Sequence, residues 1–97
     1  MTRHEPPDPL RLYTITVAYR LTQRRIPSQI IKQWASRYGR LVKREFIAIN
    51  GYEPPKVRRL IQGVPRPVYA YRERDIPMLD QVWDNLVRRM GITYPVG

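Results

Sequence analysis

The chain contains no cysteine, which excludes disulfides and thiolate metal sites. Its single histidine, His4, stands among prolines near the N-terminus. No His-containing metal cluster and no His-activated nucleophile can be assembled from that. No glycine-rich phosphate loop is present. No apolar run approaches the length of a membrane span, and no signal peptide is visible. Acids are scarce, at 8 against 18 lysines and arginines, and between Leu10 and Arg44 there is none. These absences predict a non-enzymatic, cytoplasmic protein without metal, cofactor, small-molecule ligand or membrane association.

What is present is positive charge. The formal net charge is +10 on 97 residues, a length that suits one small domain. Arginine dominates, with lysine only at 32, 43 and 56. Arginine's planar fork matches phosphate and guanine better than an ammonium does. The acid-free stretch carries Arg11, Arg20, Arg24, Arg25, Lys32, Arg37, Arg40, Lys43 and Arg44, whereas Glu73, Asp75, Asp80 and Asp84 gather near the C-terminus. A one-sided charge block is what a polyanion-binding face requires; a merely solvated basic surface is the alternative.

Residues 1–9 are proline-rich and aperiodic and predict a disordered arm. A domain over 10–91 and a tail over 92–97 follow. Leu10 to Ile15 alternates weakly, as a short edge strand would. A first helix is expected over Thr16 to Gln23, capped by Thr14 or Thr16, with Val17, Ala18 and Leu21 inward. Arg24 and Arg25 form a turn. A second helix is expected from Pro27 to Tyr38, ended by Gly39. At about 100° per residue, Ile30, Ile31, Trp34 and Tyr38 share a buried stripe, which makes Trp34 a core residue. Ser28, Gln29, Lys32, Gln33 and Ser36 fill the opposite arc, with Arg37 at its edge.

Leu41 to Tyr71 reads as a long hairpin, with strands at Glu45–Ile49 and Pro67–Tyr71 and turn signals between them. The last helix is the clearest element. Ile76, Leu79, Trp83, Leu86 and Met90 share one face, Asp75 can cap it, Pro77 sits in its first turn and Gly91 stops it. Core packing is the reading of that stripe, with a dimer seam as the minor alternative.

The order helix, turn, helix with Trp, basic hairpin and last helix resembles the winged helix-turn-helix of MerR-like proteins and phage excisionases. The second helix stands as Ile26-Pro27-Ser28-Gln29-Ile30-Ile31-Lys32-Gln33-Trp34, and the hairpin exit as Tyr71-Arg72-Glu73-Arg74-Asp75-Ile76. The likeness spans roughly Tyr13 to Met90. Two departures stand out: the turn between the helices is about two residues longer than usual, and the wing runs to about thirty residues. The fold class expected is α+β: short helix, recognition helix, long β-hairpin wing and C-terminal amphipathic helix. The single helix after the wing differs from MerR-type activators, which continue into a coiled coil. It points to an excisionase, that is, a recombination directionality factor encoded by a phage or mobile element, or to a small phage or plasmid regulator.

The resemblance implies that the second helix enters the major groove of duplex DNA. There Gln29 and Gln33 would read adenine and Lys32 guanine, with Ser28, Ser36 and Arg37 on phosphates. Arg24, Arg25, Arg40, Lys43 and Arg44 would contact the backbone, and Lys56, Arg58 and Arg59 would lie on the wing, the last two entering the minor groove. Copies on adjacent sites and a phage integrase are the implied partners. Two other classes remain open: an RNA-bound structural protein of a ribonucleoprotein particle, and a DNA-packaging component such as a small terminase subunit. The tyrosines suggest a tyrosine recombinase only superficially, because such a catalytic domain needs far more chain.

Overall fold

Thr16 begins the regular structure by capping a helix. Its Oγ1 accepts a hydrogen bond from the Tyr19 amide, which opens α1 (Val17–Gln23). A four-residue turn holding Arg25 at φ 63° leads into α2 (Ser28–Asn50). A hairpin of β1 (Lys56–Ile61) and β2 (Val64–Tyr69) follows, then a 3-10 turn at Glu73–Asp75 and α3 (Ile76–Met90). The described residues therefore form a small α+β fold of three α-helices and one antiparallel two-stranded hairpin. The computed structural model describes residues 10–95, so the expected N-terminal arm lies outside the described residues.

The largest departure from expectation is α2. It does not end at Gly39 but runs 23 residues, about 35 Å at 1.5 Å per residue. The strand expected at Glu45–Ile49 is its last third. Local signals favoured the strand, since Phe46, Ile47 and Ile49 are strand formers. Tertiary burial decides otherwise. Tyr38, Val42 and Phe46 recur every fourth residue and are all fully buried, so continuing the helix keeps one apolar stripe on the core. The helix stops at Gly51, which takes φ 81° as a left-handed C-cap.

Gly39 is an interior glycine with space around it. A Cβ there would meet only Val17 Cγ2 at 3.7 Å, an ordinary contact. Gly39→Ala is therefore expected to stabilise the fold by about 0.5–1 kcal/mol in chemical denaturation, because glycine weakens a helix interior by that much. Destabilisation would mean that position 39 lies at a helix end.

Trp34 is not a core residue. It is half-buried, with the Arg37 guanidinium 5.9 Å from its ring centre. Ile30 and Ile31 are also half-buried, and of the expected stripe only Tyr38 is fully enclosed. The central tryptophan is Trp83 on α3, which meets Tyr38 edge to face at 5.2 Å. Burial pushes the Tyr38 hydroxyl pKa well above its ordinary value. The hydroxyl stays protonated and donates to the Leu79 carbonyl oxygen at 2.8 Å, tying α2 to α3.

On α3, Leu79, Trp83 and Leu86 face inward as expected, and Gly91 ends the helix. Met90 is 40% exposed instead of buried. Ile92 takes its place on the core, and Trp83 Nε1 donates to the Tyr94 hydroxyl at 3.3 Å.

The expected edge strand at Leu10–Ile15 is a 3-10 turn (Leu10–Leu12) followed by one bridge. At that bridge Ile15 and Tyr71 exchange backbone hydrogen bonds of 3.0 and 2.7 Å. The chain entering α1 is thereby pinned beside the chain leaving the hairpin.

Candidate nucleic-acid interface

The polar face of α2 is built by what lies opposite its core stripe. Gln29, Gln33, Ser36, Arg40 and Arg44 follow one another at three- and four-residue spacing, and all are exposed. Ser28, Lys32 and Arg37 are exposed beside them and Lys43 is half-exposed. Extending the helix past Gly39 thus joins residues expected on two different elements. No acid interrupts this face before Glu45.

The hairpin is shorter than expected, 14 residues from Lys56 to Tyr69. It closes through Gln62 and Gly63, at φ 54° and 79°. Two positive-φ residues in a two-residue loop match the right-handed twist of a ribbon. Ile61 and Val64 flank the turn and so exchange ladder hydrogen bonds, which places Pro65 and Pro67 at the alternate, non-bonded positions. Their missing N–H groups would have pointed away from β1, so that edge resists pairing with a further strand.

Between α1, α2 and the hairpin lies an open groove of about 990 Å³. Ser36, Arg40 and Lys43 line it from α2, Thr16 and Tyr19 from the start of α1, and Arg59 from β1. Lys43 Nζ and Lys56 Nζ both stand over the Tyr69 ring, at 4.8 and 5.1 Å. Glu53, 3.8 Å from Lys43, is exposed and offers one carboxylate to this pair of ammoniums. Two cations on one aromatic ring, with a single carboxylate near them, leave a surplus of positive potential at the groove wall.

Comparison of the chain with models of known families, with curated proteins and with solved structures finds no match. The site therefore rests on its own geometry.

That geometry divides the expected residues. Arg40, Lys43 and Arg59 meet in the groove, Ser36 joins them, and Lys56 shares the Tyr69 ring with Lys43. Arg58 is exposed on the other face of β1, paired across the ribbon with Pro67. Arg25 is exposed in the turn. Arg24 is engaged elsewhere: its Nη2 lies 3.0 Å from Asp84 Oδ1. Arg20 pairs with Asp80 through two bonds of 2.8 and 2.7 Å. The acid-free stretch is thus not acid-free in space, because α3 brings its carboxylates back to the end of α1.

Sequence reasoning missed Arg66, which lies opposite Arg59 in register and is exposed. It also missed Thr14, Thr16, Tyr19 and Tyr69 as groove residues. Period-two alternation around Arg66 was the available signal, obscured by the flanking prolines.

Among the described residues no group of His, Cys, Asp or Glu could hold a metal ion, and no helix is long and apolar enough to cross a membrane.

Proposed function

We propose that this protein binds double-stranded DNA as a winged helix-turn-helix. The outer face of α2 enters the major groove, the hairpin reaches the adjacent minor groove with its side chains, and the intervening phosphate backbone crosses the groove between them. The observation that carries this is the convergence of Arg40, Lys43 and Arg59, from two elements, beside a long helix face without acids. Gln29, Lys32 and Gln33 in the N-terminal half of α2 read base edges, each good pair worth about 1–3 kcal/mol of discrimination. The groove arginine and lysine side chains supply sequence-independent affinity.

Within this class we favour an excisionase-type accessory factor of site-specific recombination, on the strength of the motif Ile26 to Trp34 and the hairpin exit Tyr71 to Ile76. Copies on neighbouring sites and an integrase would be its partners.

Fluorescence anisotropy on duplex DNA at several salt concentrations tests the proposal. Binding is expected to weaken steeply with salt, by about 0.9 log units per phosphate contact for each tenfold rise. On a selected cognate site, Gln29→Ala and Lys32→Ala are expected to lower the preference for that site over random duplex by about 10-fold or more. Salt-independent binding would overturn DNA recognition; unchanged preference in both variants would overturn the role of α2. Preference for single-stranded or A-form RNA over duplex DNA would move the protein to the ribonucleoprotein class.

A further inference from the structure

Leu60 and Ile61 border the groove from the hairpin side but offer a phosphate neither charge nor a side-chain hydrogen bond. Every residue from Arg58 to Pro67 is exposed, so the ribbon stands clear of the core, on which only its base packs through Val57 and Tyr69. Its last two rungs are apolar on both faces. Ile61 opposite Val64 projects to one side, and Leu60 opposite Pro65 to the other. Leu60 is 73% exposed, Val64 48% and Ile61 42%. A ribbon that merely covered a core would be apolar on its covered side alone.

Behind this apolar end the charge returns at once. The next rung is Arg59 opposite Arg66, and the one behind it carries Arg58 opposite Pro67. Three arginines thus stand directly behind an apolar tip on a chain of net charge +10, with the Arg59 guanidinium donating to the Arg58 and Thr14 carbonyl oxygens. The complementary object has two rails of negative charge and an apolar interior reachable between them, which describes the stacked bases of a duplex. A second copy of this chain would bring its own positive charge to the same arginines.

We infer that the hairpin end is a wedge. Resting on the duplex-binding reading above, Leu60 and Ile61 enter a base step from the minor groove while Arg58, Arg59 and Arg66 hold the flanking phosphates. The minor groove, about 6 Å wide, is too narrow for a ribbon but admits side chains from its end. Apolar side chains inserted this way partly unstack the step and kink the duplex by about 20–90°. Pyrimidine–purine steps such as TA yield most easily. A wedge must also be stiff, and the two-residue turn with Pro65 and Pro67 close behind it restricts this one.

The test uses the full chain and a mixed-sequence duplex with 2-aminopurine at one central TA step and a donor–acceptor pair on its ends. The natural protein is expected to raise the 2-aminopurine fluorescence and to shorten the end-to-end distance. Leu60→Thr/Ile61→Thr keeps strand-forming residues at exposed positions, so the fold is retained. It is expected to bind the duplex within about threefold of the natural protein while losing both signals. If the double variant unstacks and bends as the natural protein does, or if the natural protein binds with neither signal, the wedge is wrong and duplex binding stands. If the natural protein binds no duplex at all, both fail. If the double variant abolishes self-association in sedimentation and leaves bending unchanged, the tip contacts a second copy and the wedge is likewise overturned.

Discussion

Removing Arg40 and Lys43 together is expected to reduce the slope of log K against log salt by about 2 and to weaken duplex binding by roughly two orders of magnitude near 0.1 M salt. Both line the groove between α2 and the hairpin. Among the described residues Arg40 has no ion pair, and Lys43 has a single long one, to the exposed Glu53 at 3.8 Å. Each cation that neutralises a phosphate releases condensed counterions, and that release is the source of both effects. The control must remove the same charge from elsewhere. Arg88 and Arg89 lie at the exposed end of α3, outside the groove. Arg88→Ala/Arg89→Ala lowers the net charge equally and is expected to leave the slope nearly unchanged. Equal effects from the two pairs, measured by anisotropy from low to moderate salt, would show that net charge and not this groove drives binding.

Asp75→Ala is expected to cost about 3–5 kcal/mol of folding stability, a large share of the roughly 5–15 kcal/mol typical of a small domain. Its carboxylate accepts three hydrogen bonds from Arg72: from the backbone N and Nε through Oδ2, and from Nη2 through Oδ1, each 2.9 Å. Arg72 is 4% exposed, and its guanidinium stands 5.2 Å from the Tyr13 ring centre and 5.3 Å from that of Phe46. Truncating Asp75 removes three hydrogen bonds and a carboxylate from a buried cation, and the penalty is desolvation rather than a lost surface attraction. Replacing both partners, as Arg72→Met/Asp75→Leu, is expected to recover most of the loss. Urea denaturation measures all three proteins. A cost for Asp75→Ala below about 1 kcal/mol would mean that Arg72 reaches water.

The pair also explains a motif. Asp75 occupies the residue before α3, where a carboxylate would normally cap the first turn. It makes no such cap and reaches back to Arg72 instead. The spacing between Tyr71 and Asp75 therefore serves the hairpin exit. Tyr71 pairs with Ile15, Asp75 fixes the turn, and the ribbon leaves the core in a set direction.

Periodicity alone determined α1, α3, the start of α2 and the polar residues on its outer face. Each of these signals is local, carried by side chains three or four positions apart or by a cap beside its helix. The charge block was equally legible, whereas of the hairpin only the second strand was placed near its position, since the first lies at Lys56–Ile61 and not at Glu45–Ile49. Tertiary structure decided the rest. It carried α2 through Gly39 because burying Tyr38, Val42 and Phe46 on one stripe outweighs the preference of a single glycine and of a β-branched run. It demoted Trp34 and placed Trp83 at the centre, since depth depends on which helix packs opposite. It returned Asp80 and Asp84 to Arg20 and Arg24, removing two cations from a stretch that contains no acid in sequence. Separation of 60 residues along the chain hides such a pair from any window of sequence, and only the docking of α3 beside α1 brings its charges together.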